Sequence, residues 1–214
     1  MTKYNTEPFA IGYHNARLSS FKAEKFEKNK IVFAGCSMIE FGQWQELLKD
    51  ETIINRGILG DNSFGLLNRI DDIIKLQPAT LFIIIGINDI ANNIPADISL
   101  NNICNFINQI VENSPSTKIF VHSILPTNPV HSEQKAEFAN HYHKNEQVVE
   151  LNNLLKSKSD LSKFTFVDLY SSVVDADGNL NSEFAQTDGI HLNTNGYLLW
   201  ADLLNGNYLN QEWK

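Results

Sequence analysis

Residues 81–85 read LFIII, five apolar residues with no polar side chain on either face. A strand alternates its side chains between the two faces of a sheet, so an unbroken apolar run needs cover on both sides. The run belongs to one of five short β-branched or aromatic stretches, at residues 31–34, 52–55, 80–85, 118–123 and 164–169. Between them, apolar residues recur at three and four positions. Leu66, Leu67, Ile70, Ile73 and Ile74 form one such set. Ile103, Phe106, Ile107, Ile110 and Val111 form a second, and Val148, Val149, Leu151, Leu154 and Leu155 a third. Strands alternating with helices predict βαβ units with right-handed crossovers. The expected fold is therefore α/β, a three-layer α/β/α sandwich on a five-stranded parallel sheet in the flavodoxin-like order 2-1-3-4-5. With 214 residues, 43% of them hydrophobic, the chain can bury one sizeable core. One domain over residues 1–214 is expected, with residues 1–28 an N-terminal extension packed on it.

In open sheets of this kind a ligand sits beyond the carboxyl ends of the strands. Gly35-Cys36-Ser37 follows the first run, residues 55–62 (NRGILGDN) the second, and Gly86-Ile87-Asn88-Asp89 the third. Past the fifth comes Thr187-Asp188-Gly189-Ile190-His191-Leu192. Glycines, a hydroxyl, an amide, a carboxylate and an imidazole would thus meet at one sheet edge. Those are the parts of an acyl-transfer site: nucleophile, base, base-orienting carboxylate and oxyanion donors. Each part also has a plain structural explanation. Asp188-Gly189 reads as a turn, Asn88-Asp89 as a helix cap, and the glycines as tight βα turns.

Two nucleophiles stand side by side in AGCSM. A thiol is the better one intrinsically, yet adjacent residues leaving a strand point in roughly opposite directions, so at most one faces the cluster. Ser37, at the expected start of a helix, is the candidate, and Cys36 is expected to pack toward the sheet. A serine hydroxyl needs a base, and imidazole, with an ordinary pKa near 6.5, suits that work. Asp188, three residues before His191, can curl back to fix its tautomer.

Taken in order, AGCSMIEFG, NRGILGDNSFGLLNR, IIIGINDIANN and DGIHLNTNGYLLW resemble the four blocks of the SGNH, or GDSL-like, hydrolases. The resemblance runs from about Tyr13 to Trp200. The flanking text is similar to acetylhydrolases related to platelet-activating-factor acetylhydrolase and to bacterial carbohydrate acetylesterases. It implies Ser37, Asp188 and His191 as the catalytic residues. Ser37, Gly60 and Asn88 would form the oxyanion hole, and Asp61, Asn62 and Ile90 are candidate substrate contacts. Cys36 stands where the family usually has an aspartate that orders the loop. The implied reaction is hydrolysis of a short acyl ester, acetyl above all, on a carbohydrate such as an O-acetylated sialic acid, without cofactor or metal. Oligomeric state is left open by the residues, and the resemblance to those acetylhydrolases points toward a homodimer. Lysophospholipase or thioesterase activity, and a binding protein that has lost catalysis, are the alternatives.

Other classes fit less well. The segment around Ser37 lacks the second glycine of the G-x-S-x-G elbow, and the glycines of GILGDNSFG do not make a nucleotide-binding loop. Residues 126–145 form the one long polar interruption. It carries His131, His141 and His143, which have no acidic or sulfur ligand at metal spacing and are expected to be solvated, with contact of one of them to substrate as the alternative. A formal charge of −8, from 17 basic and 25 acidic residues, argues against nucleic acid as partner. Cys36 and Cys104 are too few for a disulfide framework. No apolar segment has the length of a membrane span or signal, and a cytoplasmic location is expected.

Overall fold

The computed structural model describes residues 5–130, 132–159 and 163–209. Five strands, β1 (Ile31–Gly35), β2 (Ile54–Gly57), β3 (Thr80–Ile84), β4 (Lys118–His122) and β5 (Thr165–Val167), form one sheet in the order β2-β1-β3-β4-β5. Every pairing is parallel. The strand that reads LFIII is the central one, as its two apolar faces require, and residues 81–84 are buried. Register puts Phe33, Phe82 and Phe120 side by side on β1, β3 and β4. Their rings stack at 4.8 and 5.0 Å, and Trp44 adds a fourth ring 4.1 Å from Phe33.

The helices are α1 (Ile11–Ala23), α2 (Ser37–Glu40), α3 (Trp44–Leu48), α4 (Ser63–Asn68) and α5 (Ile70–Ile74). They continue with α6 (Ile87–Ala91), α7 (Ala96–Asn113), α8 (Asn145–Ser159), α9 (Tyr170–Val173) and α10 (Thr194–Leu204). α3 packs on α10, with Trp44 edge-on to Trp200 at 4.7 Å. α7 packs against α4, α5 and α8. The sheet thus lies between helical layers, an α/β/α sandwich.

Two departures from the sequence expectation have a visible local cause. The second strand begins at Ile54 because Thr52 is held in a turn, its N–H and hydroxyl both donating to Asp50 Oδ1. The stretch from Leu66 to Ile74 divides at Arg69, which leaves helical geometry (φ −106°, ψ 18°). Its guanidinium turns inward to Asp61 and to the Gly35 carbonyl.

β1 ends in Gly35, and Gly86 follows two residues after β3, both at positive φ where any other residue would be strained. Gly35 (φ 150°) lies so close to β3 that a Cβ would stand 2.0 Å from the Ile84 carbonyl oxygen. α1 lies over this edge of the sheet. Arg56 of β2 is buried beneath it, its guanidinium over the Phe21 ring and 2.7 Å from Glu24.

Candidate active site

The chain leaves β1 through Gly35 and Cys36 and enters α2 at Ser37. As first residue of its helix, Ser37 has an N–H with no intrahelical acceptor. Its Oγ is 2.9 Å from His191 Nε2, and His191 Nδ1 is 2.7 Å from Asp188 Oδ2. Only Nδ1–H can donate to a carboxylate, so Nε2 carries the lone pair and accepts the Ser37 hydroxyl. Asp188 holds this geometry through a tight turn in which its Oδ1 accepts the N–H groups of Ile190 (2.9 Å) and His191 (3.0 Å). The turn needs Gly189 at φ 67°, where a Cβ would meet the Asn128 carbonyl at 2.3 Å. Burial pushes the Asp188 carboxyl upward, but the bonds from the His191 ring and the two N–H groups outweigh it and hold the pKa down at about 2. The rings of Phe41 and Phe138 flank the imidazole at 5.0 and 5.8 Å.

Asn88 is not a helix cap. Gly86 precedes α6 without any side-chain cap bond, and Asn88 lies inside the helix. Its Nδ2 donates to the Asp61 carbonyl at 2.8 Å, which leaves a second N–H on the same nitrogen. Gly60 turns at φ 72° under Phe9, whose N–H donates to the Gly60 carbonyl. A cavity of about 20 Å³ is lined by Ser37, Gly60, Asn88, His141 and His191 together with Phe9, Leu59, Ile87, Phe138 and Ile190. Against it, sharing Ser37, Ile87 and Ile190, lies a second cavity of about 20 Å³ walled by Cys36, Met38, Ile84, Ile85, Ile124, Leu125 and Thr127. The first cavity thus carries the polar groups of Asn88, His141 and His191 among apolar walls, and the second is almost wholly apolar.

Ser37, Gly60, Asn88, Asp188 and His191 are therefore brought together. The candidate substrate contacts Asp61, Asn62 and Ile90 line neither cavity, although the Asp61 carbonyl holds Asn88. Asp61 is fully buried, paired with Arg69 Nε at 2.8 Å and 3.3 Å from His14 Nε2. Asn62 is fully buried and caps α4, its Oδ1 accepting the Gly65 N–H. Ile90 is buried and lines neither cavity. All three are committed to the scaffold, and Ile87 and Ile190 stand at the cavities instead. Cys36 is buried against the sheet, and burial raises its thiol pKa to about 11.

The interruption at residues 126–145 also departs from expectation. Residues 126–129 are buried, and so are His141 and Tyr142. His143 is exposed, and His131 lies outside the described residues. His141 is not solvated: its Nε2 is 2.9 Å from Asn88 Oδ1. Sequence reasoning named His141 but missed its meeting with Asn88, 53 positions away, because no spacing rule links residues so far apart in the chain. Among the described residues no group of three or more His, Cys, Asp or Glu is placed to hold a metal ion. None of their helices is long and apolar enough to cross a membrane.

An α/β/α sheet carrying a hydrogen-bonded hydroxyl, imidazole and carboxylate at its carboxyl edge is an acyl-hydrolase architecture. The GDSL-like lipase/acylhydrolase family matches residues 35–199, and the chain belongs to that family. Among solved structures it is similar to a Streptococcus pneumonia protein whose description names platelet activating factor, at 26% identity and TM-score 0.82 over 92% of this chain and 94% of that one. A GDSL-like lipase from Bacteroides thetaiotaomicron follows at 24% and 0.76, over 92% and 97%. An acetylxylan esterase from Geobacillus stearothermophilus shares the fold at 16% and 0.63, over 85% and 94%. Among curated proteins, none matches this chain.

Proposed function

We propose that this acylhydrolase cleaves short-chain carboxylic esters, acetyl esters above all, with Ser37 as nucleophile. The observation that carries the reading is the continuous line from Ser37 Oγ through His191 to Asp188, at 2.9 and 2.7 Å. Ser37 Oγ attacks the ester carbonyl carbon while its proton passes to His191 Nε2. The carbonyl oxygen becomes an oxyanion that accepts from the N–H groups of Ser37 and Gly60 and from Asn88 Nδ2. Collapse breaks the bond to the alcohol, which leaves with the proton held by His191, and an acyl-serine remains. Water, deprotonated by His191, then repeats the attack and releases the acid and Ser37.

The apolar cavity beside Ser37, about 20 Å³, holds roughly one water-sized group, which suits the methyl of an acetyl group. A carbohydrate as the alcohol portion, such as an O-acetylated sialic acid, is the reading we favour. The shared fold with an acetylxylan esterase is in keeping with it. A second reading, hydrolysis of longer acyl chains as in a lysophospholipase or thioesterase, draws on the open groove past Phe41, lined by Leu47, Leu192, Tyr197 and Leu198.

Turnover of a chromogenic acetyl ester tests the mechanism. Ser37→Ala is expected to abolish it, and a serine-directed phosphonate to block it stoichiometrically. Cys36→Ala should retain most activity, and iodoacetamide should leave the wild type active, because the thiol is buried and un-ionised near neutrality. Inactivation through Cys36, with Ser37→Ala still active, would make this a thiol esterase.

A further inference from the structure

We propose that His141 is a positioning residue that holds the Asn88 carboxamide with one N–H turned toward the oxyanion, an inference that rests on the acyl-transfer reading above. A carboxamide can rotate about its last side-chain bond, and the two orientations differ in which end faces the cavity. Asn88 is held at both ends. Nδ2 donates to the Asp61 carbonyl at 2.8 Å, and Oδ1 lies 2.9 Å from His141 Nε2. An amide oxygen has no hydrogen, so the ring nitrogen must be the donor. Rotation would set Asn88 Oδ1 against the Asp61 carbonyl, two acceptors facing each other.

The surroundings of His141 favour that role. With Nε2 protonated, a neutral ring leaves Nδ1 bare, and Nδ1 is buried without a hydrogen-bond partner. A second proton there would place a charge in a buried site, and burial accordingly pushes the pKa down to about 4. The ring is therefore a neutral donor near neutral pH. Its place is fixed by neighbours that reach both halves of the site. Tyr142 donates its hydroxyl to the Asp188 carbonyl at 2.8 Å, and Lys144 Nζ donates to the Ile90 and Ala91 carbonyls of the helix that carries Asn88. The Phe138 ring stands edge-on to His141 at 5.8 Å.

Acetyl-ester kinetics on His141→Phe, His141→Gln, Asn88→Ala and the double variant test the proposal. His141→Phe keeps a ring but has no donor. Its kcat is expected to fall about tenfold or more with KM nearly unchanged, since an oxyanion donor acts in the transition state. His141→Gln, which offers an N–H at similar reach, should recover most of that loss. In the Asn88→Ala background His141→Phe should cost nothing further. Wild-type kcat in His141→Phe, an equal loss with and without Asn88, or a rise in KM alone would each overturn the proposal. Should His141→Phe fail to fold, nitrogen NMR of the wild-type ring decides: the Nε2–H tautomer is expected at neutral pH, and the Nδ1–H tautomer overturns the idea. Wild type lacking Ser37-dependent hydrolysis would instead defeat the acyl-transfer reading, and the proposal with it.

Discussion

Asp188 and Asp89 are both buried aspartates, yet their surroundings push them in opposite directions. Asp188 is held down at about 2 because the hydrogen bonds it accepts outweigh burial. Asp89 is raised to about 6, since burial dominates over the bonds from Ser63 and Ser99 that oppose it. The signs of their stability contributions follow. What Asp188 contributes is present above its unfolded pKa near 4 and is lost as pH falls toward 2. What Asp89 contributes is present in full below pH 4 and is lost as pH rises through 6. Asp89→Asn, which carries no charge, should therefore gain stability relative to wild type between pH 4 and pH 7, on the order of 3 kcal/mol. Urea unfolding at pH 4, 5.5 and 7 checks this, and a difference independent of pH would show that Asp89 has an ordinary pKa.

At the scale of elements, short helices carry the site and buried charges tie them together. Asp61 follows Gly60 and faces Arg69, at the junction of α4 and α5, and His14 on α1. Arg69 also donates to the Gly35 carbonyl at 3.0 Å, at the end of β1. Glu40, on α2, accepts from Tyr13 and Arg17 of α1 and from the Leu59 N–H. The loops that carry the three proposed oxyanion donors are thus braced from two sides. Arg69→Met would leave the Asp61 charge buried with no guanidinium beside it, and breaking a buried pair on one side typically costs about 3–5 kcal/mol. Denaturant unfolding should show a loss of that size. A loss under 1 kcal/mol would mean that His14 alone compensates Asp61.

The apolar cavity belongs to the whole molecule. Its walls come from the end of β3, from the segments that follow β1, β3 and β4, and from Ile190 between Asp188 and His191. Residues in a packed interior give way little, so a cavity of about 20 Å³ sets a limit on acyl length. Across acetyl, butyryl and octanoyl esters of one alcohol, kcat/KM should fall by about tenfold or more from acetyl to butyryl, because the extra methylenes must overpack the pocket. Leu125→Ala, which enlarges it, should shift the preference toward butyryl. Octanoyl preferred by the wild type would instead favour the longer-chain reading and the groove past Phe41.

Much of this molecule was legible from local pattern. The period of the apolar residues separates strands from helices, an all-apolar strand must be central, and the order of strands is limited by connection rules. The site residues after each strand end were legible for the same reason, since the topology of a parallel sheet delivers them to one edge. Strand alternation allows at most one of Cys36 and Ser37 to face the cluster, and the expected helix start singles out Ser37 as the candidate. What pattern could not reach were contacts between residues distant in the chain that obey no period. The burial of Asp61 and Asn62, the inward turn of Arg69 that divides a helix, and the meeting of His141 with Asn88 across 53 positions arise only when the sheet is packed. A polar side chain carries no local mark of whether it will face water or a buried partner. Only the tertiary structure, by removing water from around it, decides.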